Sequence, residues 1–365
     1  MAENGYLCHT NLLLCPMPTN KHRISLKDLA HELGVSIATV SRALRSSPEI
    51  GKDMQVRVKE LAQKLNYRPN PFAQSLRKDA PRIIGVVVPN LVTHYYASVL
   101  DGIEEEAVRK GYSVISANSH ESFSDEARAI DNFIGLHVEG IVACLAQDTT
   151  DYSHFNEIAD MGIPLVFFGR TCLTDKFSSV TANGDEAARM ATQHLVDTGC
   201  RRIAFIGGPN HLDMVRRRKH GYIEALHDNR IPIDRTLVAC GPIDYHVAME
   251  RTKQMLGQPG RPDAILAFND IITFAAFTAI KAVHLRIPDD VSLVGFTDDA
   301  HARYVTPRLT AIEDQSKQMG SVACRLLLDN IAGNHAIRHE IVPQKLVIRE
   351  STRAKAQTAP PTPTS

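Results

Sequence analysis

The sequence predicts an α/β protein made of two unlike units: a small all-α unit near the N-terminus and a large unit of two parallel-sheet lobes. Three observations carry this. Residues 25–65 hold three short runs of helical apolar spacing separated by Gly and Ser. From Arg82 onward, short apolar strands alternate with amphipathic helices, and the alternation continues through two successive sets. At 365 residues the chain is also too long for one simple core, because a domain commonly spans roughly 100–150 residues.

Composition is that of an ordinary globular protein, with 44% hydrophobic and 22% charged residues and a mean hydropathy of −0.16. No window approaches the roughly 18 consecutive apolar residues of a spanning helix, so an integral membrane protein is not expected. Residues 1–22 contain the run Leu12-Leu13-Leu14-Cys15 but have an early Glu3 and no Lys before Lys21. A secretory signal needs a basic start and a longer apolar stretch. The segment is therefore expected to be a disordered extension, with Met17 as a possible start of a shorter natural product. Residues 354–365, rich in Pro, Thr and Ala, read as a solvated tail. The seven cysteines, at 8, 15, 144, 172, 200, 240 and 324, form no C-x-x-C pair and no metal-type spacing with His. They point to reduced thiols in a cytoplasmic protein without a metal or cofactor.

Charge is uneven although it sums to zero. Residues 21–80 hold twelve Lys and Arg against six acids, and the rest of the chain carries the opposite excess. Such asymmetry suggests a polyanion at one end, although a solvated charged helix would have the same charge.

Residues 23–69 form the small unit. Ser25 is suited to cap "LKDLAHEL", whose Leu26, Leu29, Ala30 and Leu33 share a face, and Gly34 is suited to end it. Ser36 then caps a second helix, Ile37 to about Leu44, and "DMQVRVKELAQKL" forms a third with Met54, Val58, Leu61, Ala62 and Leu65 on one stripe. Helix, tight turn, helix and supporting helix is the helix-turn-helix arrangement. In it the second helix lies in the major groove, which accounts for small, hydroxyl and cationic side chains where a buried helix would want apolar ones. Val40 and Leu44 anchor the inner face, leaving Ser36, Ile37, Ala38, Thr39, Ser41 and Arg42 for DNA. A small surface helix with incidental polar residues is the competing reading.

The linker, 70–80, combines Pro69 and Pro71 with a short helical "NPFAQSL" and basic Arg77-Lys78. The core, 81–353, then opens with "RIIGVVVP" and the helical "YYASVLDGIEEEAVRKG", followed by "YSVISANS", "DEARAIDNFIGL", "GIVACLA", a helix near 153–161 and "PLVFFGR". A second set runs from "DEAARMATQHLVDTG" through "RIAFIGGP", "RRRKHGYIEALHD", "TLVACG", "YHVAMERTKQML", "AILAFND" and "IITFAAFTAIKAVH" to "VSLVGFTD". Two open Rossmann-like sheets place ligands at the strand C-terminal ends, in the cleft between lobes. Enzyme signatures are not found: there is no P-loop, no G-x-G-x-x-G after a strand, no nucleophile elbow and no metal-binding His pair on a helix. Gly207-Gly208-Pro209 reads as a strand-to-helix turn.

The segments "LKDLAHELGVSIATVSRAL", "NYRPNPFAQSL", "IIGVVVPN", "VDTGCRRIAFIGGP", "ILAFND", "IPDDVSLVGFTD" and "TPRLTAI" occur in order from about Ile24 to Arg349. Together they resemble the lactose-repressor (LacI/GalR) family of bacterial transcription regulators. The resemblance implies a periplasmic-binding-protein-like core, with a first lobe of about 81–182 and 314–338 and a second of about 183–313 and 339–350. It also implies a hinge helix that folds on DNA and wedges Leu76 into a base step, with Ala73 and Arg77 beside it and Tyr67 and Asn70 in the DNA-facing set. Leu76 as a core residue is the alternative. For the effector site the resemblance points to Tyr95, Tyr96, Arg170, Arg218, Ile243, Asn269, Thr297 and Asp298, where Tyr95 or Tyr96 could equally be ordinary core. Two departures stand out: Thr297 and Gly169 occupy places where many members carry an acid. A sugar-like effector is implied, and an anionic one is allowed by Arg170 and Arg218. The expected partners are operator DNA, the effector and a second copy, since no leucine heptad of the tetrameric kind follows Arg349. The expected location is the cytoplasm, on the nucleoid when bound to DNA. A core that answers to a protein partner is the alternative function.

Overall fold

The computed structural model describes residues 24–67, 82–297 and 301–354. The chain divides into two units between Pro81 and Arg82.

In the first unit, α1 (Leu26–Leu33), α2 (Ile37–Leu44) and α3 (Lys52–Lys64) surround a core of Leu29, Ala30, Val40, Ala43, Val58 and Ala62. The predicted caps are in place. The Ser25 hydroxyl accepts from the Asp28 N–H at 3.4 Å while the Asp28 carboxylate accepts from the Ser25 N–H at 2.7 Å, a reciprocal capping box. Gly34 ends α1 at φ 64°, a conformation that costs a residue without Cβ little.

The second unit contains two six-stranded sheets. The first has the order β11-β5-β4-β3-β1-β2, formed by β1 (Ile83–Val88), β2 (Ser113–Asn118), β3 (Gly140–Ala143), β4 (Leu165–Phe168), β5 (Ser178–Ala182) and β11 (His339–Val342). All its pairings are parallel. The second has the order β12-β10-β9-β8-β6-β7, formed by β6 (Ile203–Gly207), β7 (Val238–Cys240), β8 (Ala264–Ala267), β9 (Ser292–Phe296), β10 (Thr310–Glu313) and β12 (Lys345–Val347). Here β12 alone runs antiparallel, against β10. Central strands such as "IIGVVV" are buried throughout because helices cover both faces of the sheet. Around the first sheet lie α4 (His94–Arg109), α5 (Phe123–Gly135), α6 (Ser153–Asp160) and α12 (Ser316–Ile331). Helices α7 (Gly184–Asp197), α8 (Asp213–Asp228), α9 (Tyr245–Leu256) and α10 (Asp270–Ala282), with the short α11 (His301–Tyr304), belong to the second.

Two expectations need correction. The stretch 339–350, assigned to the second lobe, is divided between the two: β11 pairs with β5 in the first lobe, and only β12 reaches the second. Pro343, which has no N–H to give a ladder, separates the two strands at the crossing. Strand β5 is absent from the sequence reading because "SSVTA" lacks an apolar run. Its two serines are buried but bonded, Ser178 to the Arg338 N–H at 3.0 Å and Ser179 to His339 Nδ1 at 2.8 Å.

Three passages therefore link the lobes, at Asn183, at Asp314-Gln315 and at Pro343-Gln344. They are tied together: Asn183 Oδ1 accepts from the Gln344 N–H at 2.8 Å, and the Gln344 amide donates to the Asp314 carboxylate.

Candidate functional site

Two surfaces carry chemistry. On the first unit, α2 holds itself down with Val40 and Ala43, both fully buried, while Leu44 is only half-buried. Ser36, Ile37 and Arg42 are exposed, with Ala38, Thr39 and Ser41 half-buried along the same face. The Ser36 hydroxyl is engaged as the N-cap, accepting from the Thr39 N–H at 3.1 Å and lying 2.8 Å from the Thr39 hydroxyl. Arg42 makes a 3.3 Å ion pair with Glu49, both side chains being more than half exposed. A pair in that much solvent is worth little, so the guanidinium is available to a phosphate or base edge. Tyr67 packs half-buried against the small core. Asn70, Ala73, Leu76 and Arg77 lie outside the described residues.

On the second unit, the strand C-terminal ends face one another across a cavity. Tyr95, Tyr96, Arg170, Arg218 and Asn269 line it. Ile243 borders the adjoining groove instead, Thr297 is buried with its N–H on the Ile312 carbonyl at 3.1 Å, and Asp298 lies outside the described residues. Glu121, Cys144, Met214, Phe268 and Asp314 are also in the wall and were missed in the sequence.

The two buried arginines are both matched by carboxylates. Arg170 forms a two-pronged pair with Glu121, at 2.6 and 3.0 Å, and donates to the Leu145 carbonyl at 3.0 Å. Burial alone would lower its pKa, but Tyr96 and Glu121 outweigh this and raise it. The Arg218 guanidinium lies over the rings of Phe268 and Phe296, 5.0 and 3.7 Å from their centres, and donates to the Phe268 carbonyl. It also pairs with Asp314 at 3.1 Å, which attaches a cavity side chain to an inter-lobe passage. Desolvation lowers its pKa against the pull of Asp314. Gly169, at a place where many family members carry an acid, has φ 64°, and a Cβ there would lie 3.0 Å from the Tyr95 hydroxyl. The acid for Arg170 comes instead from the loop after β2. A carboxylate at the C-terminal end of an open-sheet strand was the available signal for Glu121. Nothing local pointed to Asp314.

The comparisons agree with this geometry. Residues 25–70 match the model described as bacterial regulatory proteins, lacI family, and residues 192–352 match the periplasmic binding protein-like domain. The catabolite control protein A of Priestia megaterium is 28% identical over 337 residues, covering 90% of this chain and 99% of that protein. The CytR repressor of Escherichia coli K12 is 28% identical over 331 residues, covering 90% and 96%. The chain thus combines a lacI-family helix-turn-helix segment with a periplasmic-binding-protein-like region, and it is similar to lacI-family repressors over most of its length. Among solved structures, the lac repressor dimer bound to operator and the anti-inducer ONPF has a TM-score of 0.77 at 25% identity, covering 91% of this chain and 99% of that one. The complex of the regulator CelR with cellobiose has a TM-score of 0.69 at 28% identity, covering 90% and 100%. With this domain pair and these repressor relatives, the chain is a DNA-binding transcription regulator rather than an enzyme. Among the described residues no helix is long and apolar enough to cross a membrane.

Proposed function

We propose that this regulator is a repressor that binds a near-palindromic operator as a homodimer and is switched by a neutral sugar or sugar derivative held in the inter-lobe cleft. The observation that carries the effector class is the pairing of both cavity arginines, Arg170 with Glu121 and Arg218 with Asp314. An anionic ligand would have to displace a buried carboxylate from its cation, a change that leaves a charge unpaired at a cost of several kcal/mol. A neutral polyol can add hydroxyls to the same fixed donors and acceptors while its apolar faces meet Tyr95, Tyr96 and Phe268. The anionic effector that the bare sequence allowed therefore loses its support.

Ser36, Ile37, Ala38, Thr39, Ser41 and Arg42 form the reading face, and the family resemblance adds Tyr67, Asn70, Ala73, Leu76 and Arg77. Tyr95, Tyr96, Arg170, Arg218 and Asn269 hold the effector. An effector that binds one lobe arrangement better than another shifts operator affinity by that difference. The regulator works in the cytoplasm, at the nucleoid when bound.

A thermal-shift panel of neutral sugars, sugar phosphates and sugar acids tests the effector class, with each hit then titrated against operator binding. Stabilisation by neutral sugars together with a changed operator affinity is expected. Stabilisation by phosphorylated or acidic sugars alone overturns the neutral class. Silence across the panel with intact operator binding assigns the switch to a protein partner.

A further inference from the structure

Outside the cavity wall, one residue of the first lobe holds two groups of the second. The Gln147 side-chain carbonyl accepts the Ile243 N–H at 2.9 Å, and its backbone carbonyl accepts from His211 Nε2 at 2.7 Å. His211 and Ile243 stand on the loops that follow β6 and β7, at the second lobe's strand C-terminal ends. The loop carrying Gln147 is in turn fixed to its own lobe. The Ala146 N–H and the Thr149 hydroxyl bond the buried Glu126 carboxylate at 2.6 and 2.8 Å, and Asp148 accepts the Phe123 N–H at 2.7 Å. A side chain that bridges from so constrained a loop is tied to the relation between the lobes.

The same residue is attached to the cavity. The Gln147 N–H donates to Glu121 Oε2 at 2.8 Å, the oxygen that also accepts from Arg170 at 2.6 Å. A continuous set of bonds thus runs from the cavity wall through Glu121 and Gln147 to Ile243. We propose that Gln147 is a positioning residue, a latch that holds the lobes closed across the cleft and is set by the Arg170–Glu121 pair. Its regulatory meaning rests on the cleft being an effector site. A hydroxyl that adds a hydrogen bond to Glu121 or Arg170 alters the anchor of the latch, and lobe closure changes without direct contact between ligand and Gln147.

The geometry gives a readout that needs no effector. The Ile243 amide is protected by Gln147, so its hydrogen exchange in the ligand-free full-length protein reports the latch. Gln147→Ala removes the acceptor and Gln147→Asn draws it back by one methylene. Either should speed exchange at Ile243 roughly three- to tenfold, the range expected for loss of one neutral hydrogen bond, with the amides of β6 and β8 unchanged. Gln147→Glu keeps an acceptor at the same reach and should leave Ile243 protected. Glu121→Ala should reproduce the Gln147→Ala effect. Unchanged exchange at Ile243 in the Ala and Asn variants overturns the latch, as does a rise shared equally by β6 and β8, which would report general loosening of the lobe. Protection retained in Glu121→Ala but lost in Gln147→Ala overturns the link to the cavity. A sugar panel without hits would refute the effector reading while leaving these exchange results standing.

Discussion

Glu126 has no accessible surface, yet it accepts from the Ala146 N–H, from the Thr149 hydroxyl and, at 3.1 Å, from His154 Nε2. Glu126→Ala strands all three donors, and a loss of about 3 kcal/mol or more is expected in denaturant unfolding. Glu126→Gln retains one acceptor oxygen and should lose less. On α2 the expectation concerns readout. Exchanging Ile37 and Ala38 should change which half-site bases are preferred, since each mismatch is typically worth about 1–3 kcal/mol. Lys52 and Arg57 are exposed on α3, and replacing either by Ala should at most weaken all sequences alike and flatten the salt dependence. Randomised half-site selection at two salt concentrations separates the cases, and unchanged preference in the Ile37/Ala38 exchange would mean that another face reads the bases. Burial raises the Cys144 thiol to about 11 and the Cys324 thiol to about 12 from an ordinary 9.0. The folded chain keeps these protons where the unfolded chain gives them up. Their contribution to stability is therefore complete below about pH 9 and is lost as pH rises through about 11 and 12. A melting temperature that falls over that interval, and falls less in Cys144→Ala than in the parent, is the expected result.

At the scale of elements, close approach of helix pairs depends on glycine. A Cβ on Gly102 of α4 would meet the Lys317 carbonyl of α12, and one on Gly320 would meet the Val99 carbonyl across the same crossing. In the second lobe, Gly221 of α8 lies likewise against the Asp185 carbonyl of α7. Gly320→Ala should therefore cost about 1–3 kcal/mol by overpacking, although alanine is the better helix former. A gain in stability in chemical denaturation would refute the close crossing. The capping box of α1 predicts a smaller effect. Ser25→Ala should destabilise the three-helix unit by about 1 kcal/mol, read by its own melting transition, with the stability of the second unit unchanged.

At the scale of the molecule, a palindromic site calls for a two-fold symmetric protein, because each half-site then meets the same surface. Light scattering should give a dimer at micromolar concentration, and a stable tetramer there would refute the proposed assembly. Leu76→Ala should leave the dimer intact while lowering specific operator affinity more than non-specific affinity. Equal loss on both kinds of DNA would refute the wedge.

Local features alone determined the three helices of the small unit, their caps at Ser25, Ser36 and Gly34, and most strands and helices of the core. Capping, apolar period and buried strands are written within a few consecutive residues, so each can be read where it stands. The sequence also placed Tyr95, Tyr96, Arg170, Arg218 and Asn269 around one cavity through strand-end topology and family resemblance. Only the tertiary structure decided what neutralises the arginines. Glu121 meets Arg170 across 49 positions of chain, and Asp314 meets Arg218 across 96. It likewise decided that β5 is a strand, since its serines are satisfied by residues some 160 positions away, and that β11 and β12 belong to different lobes. In each case a polar group's partner lies on another element, and burial makes that partner necessary without revealing in the sequence which one it is.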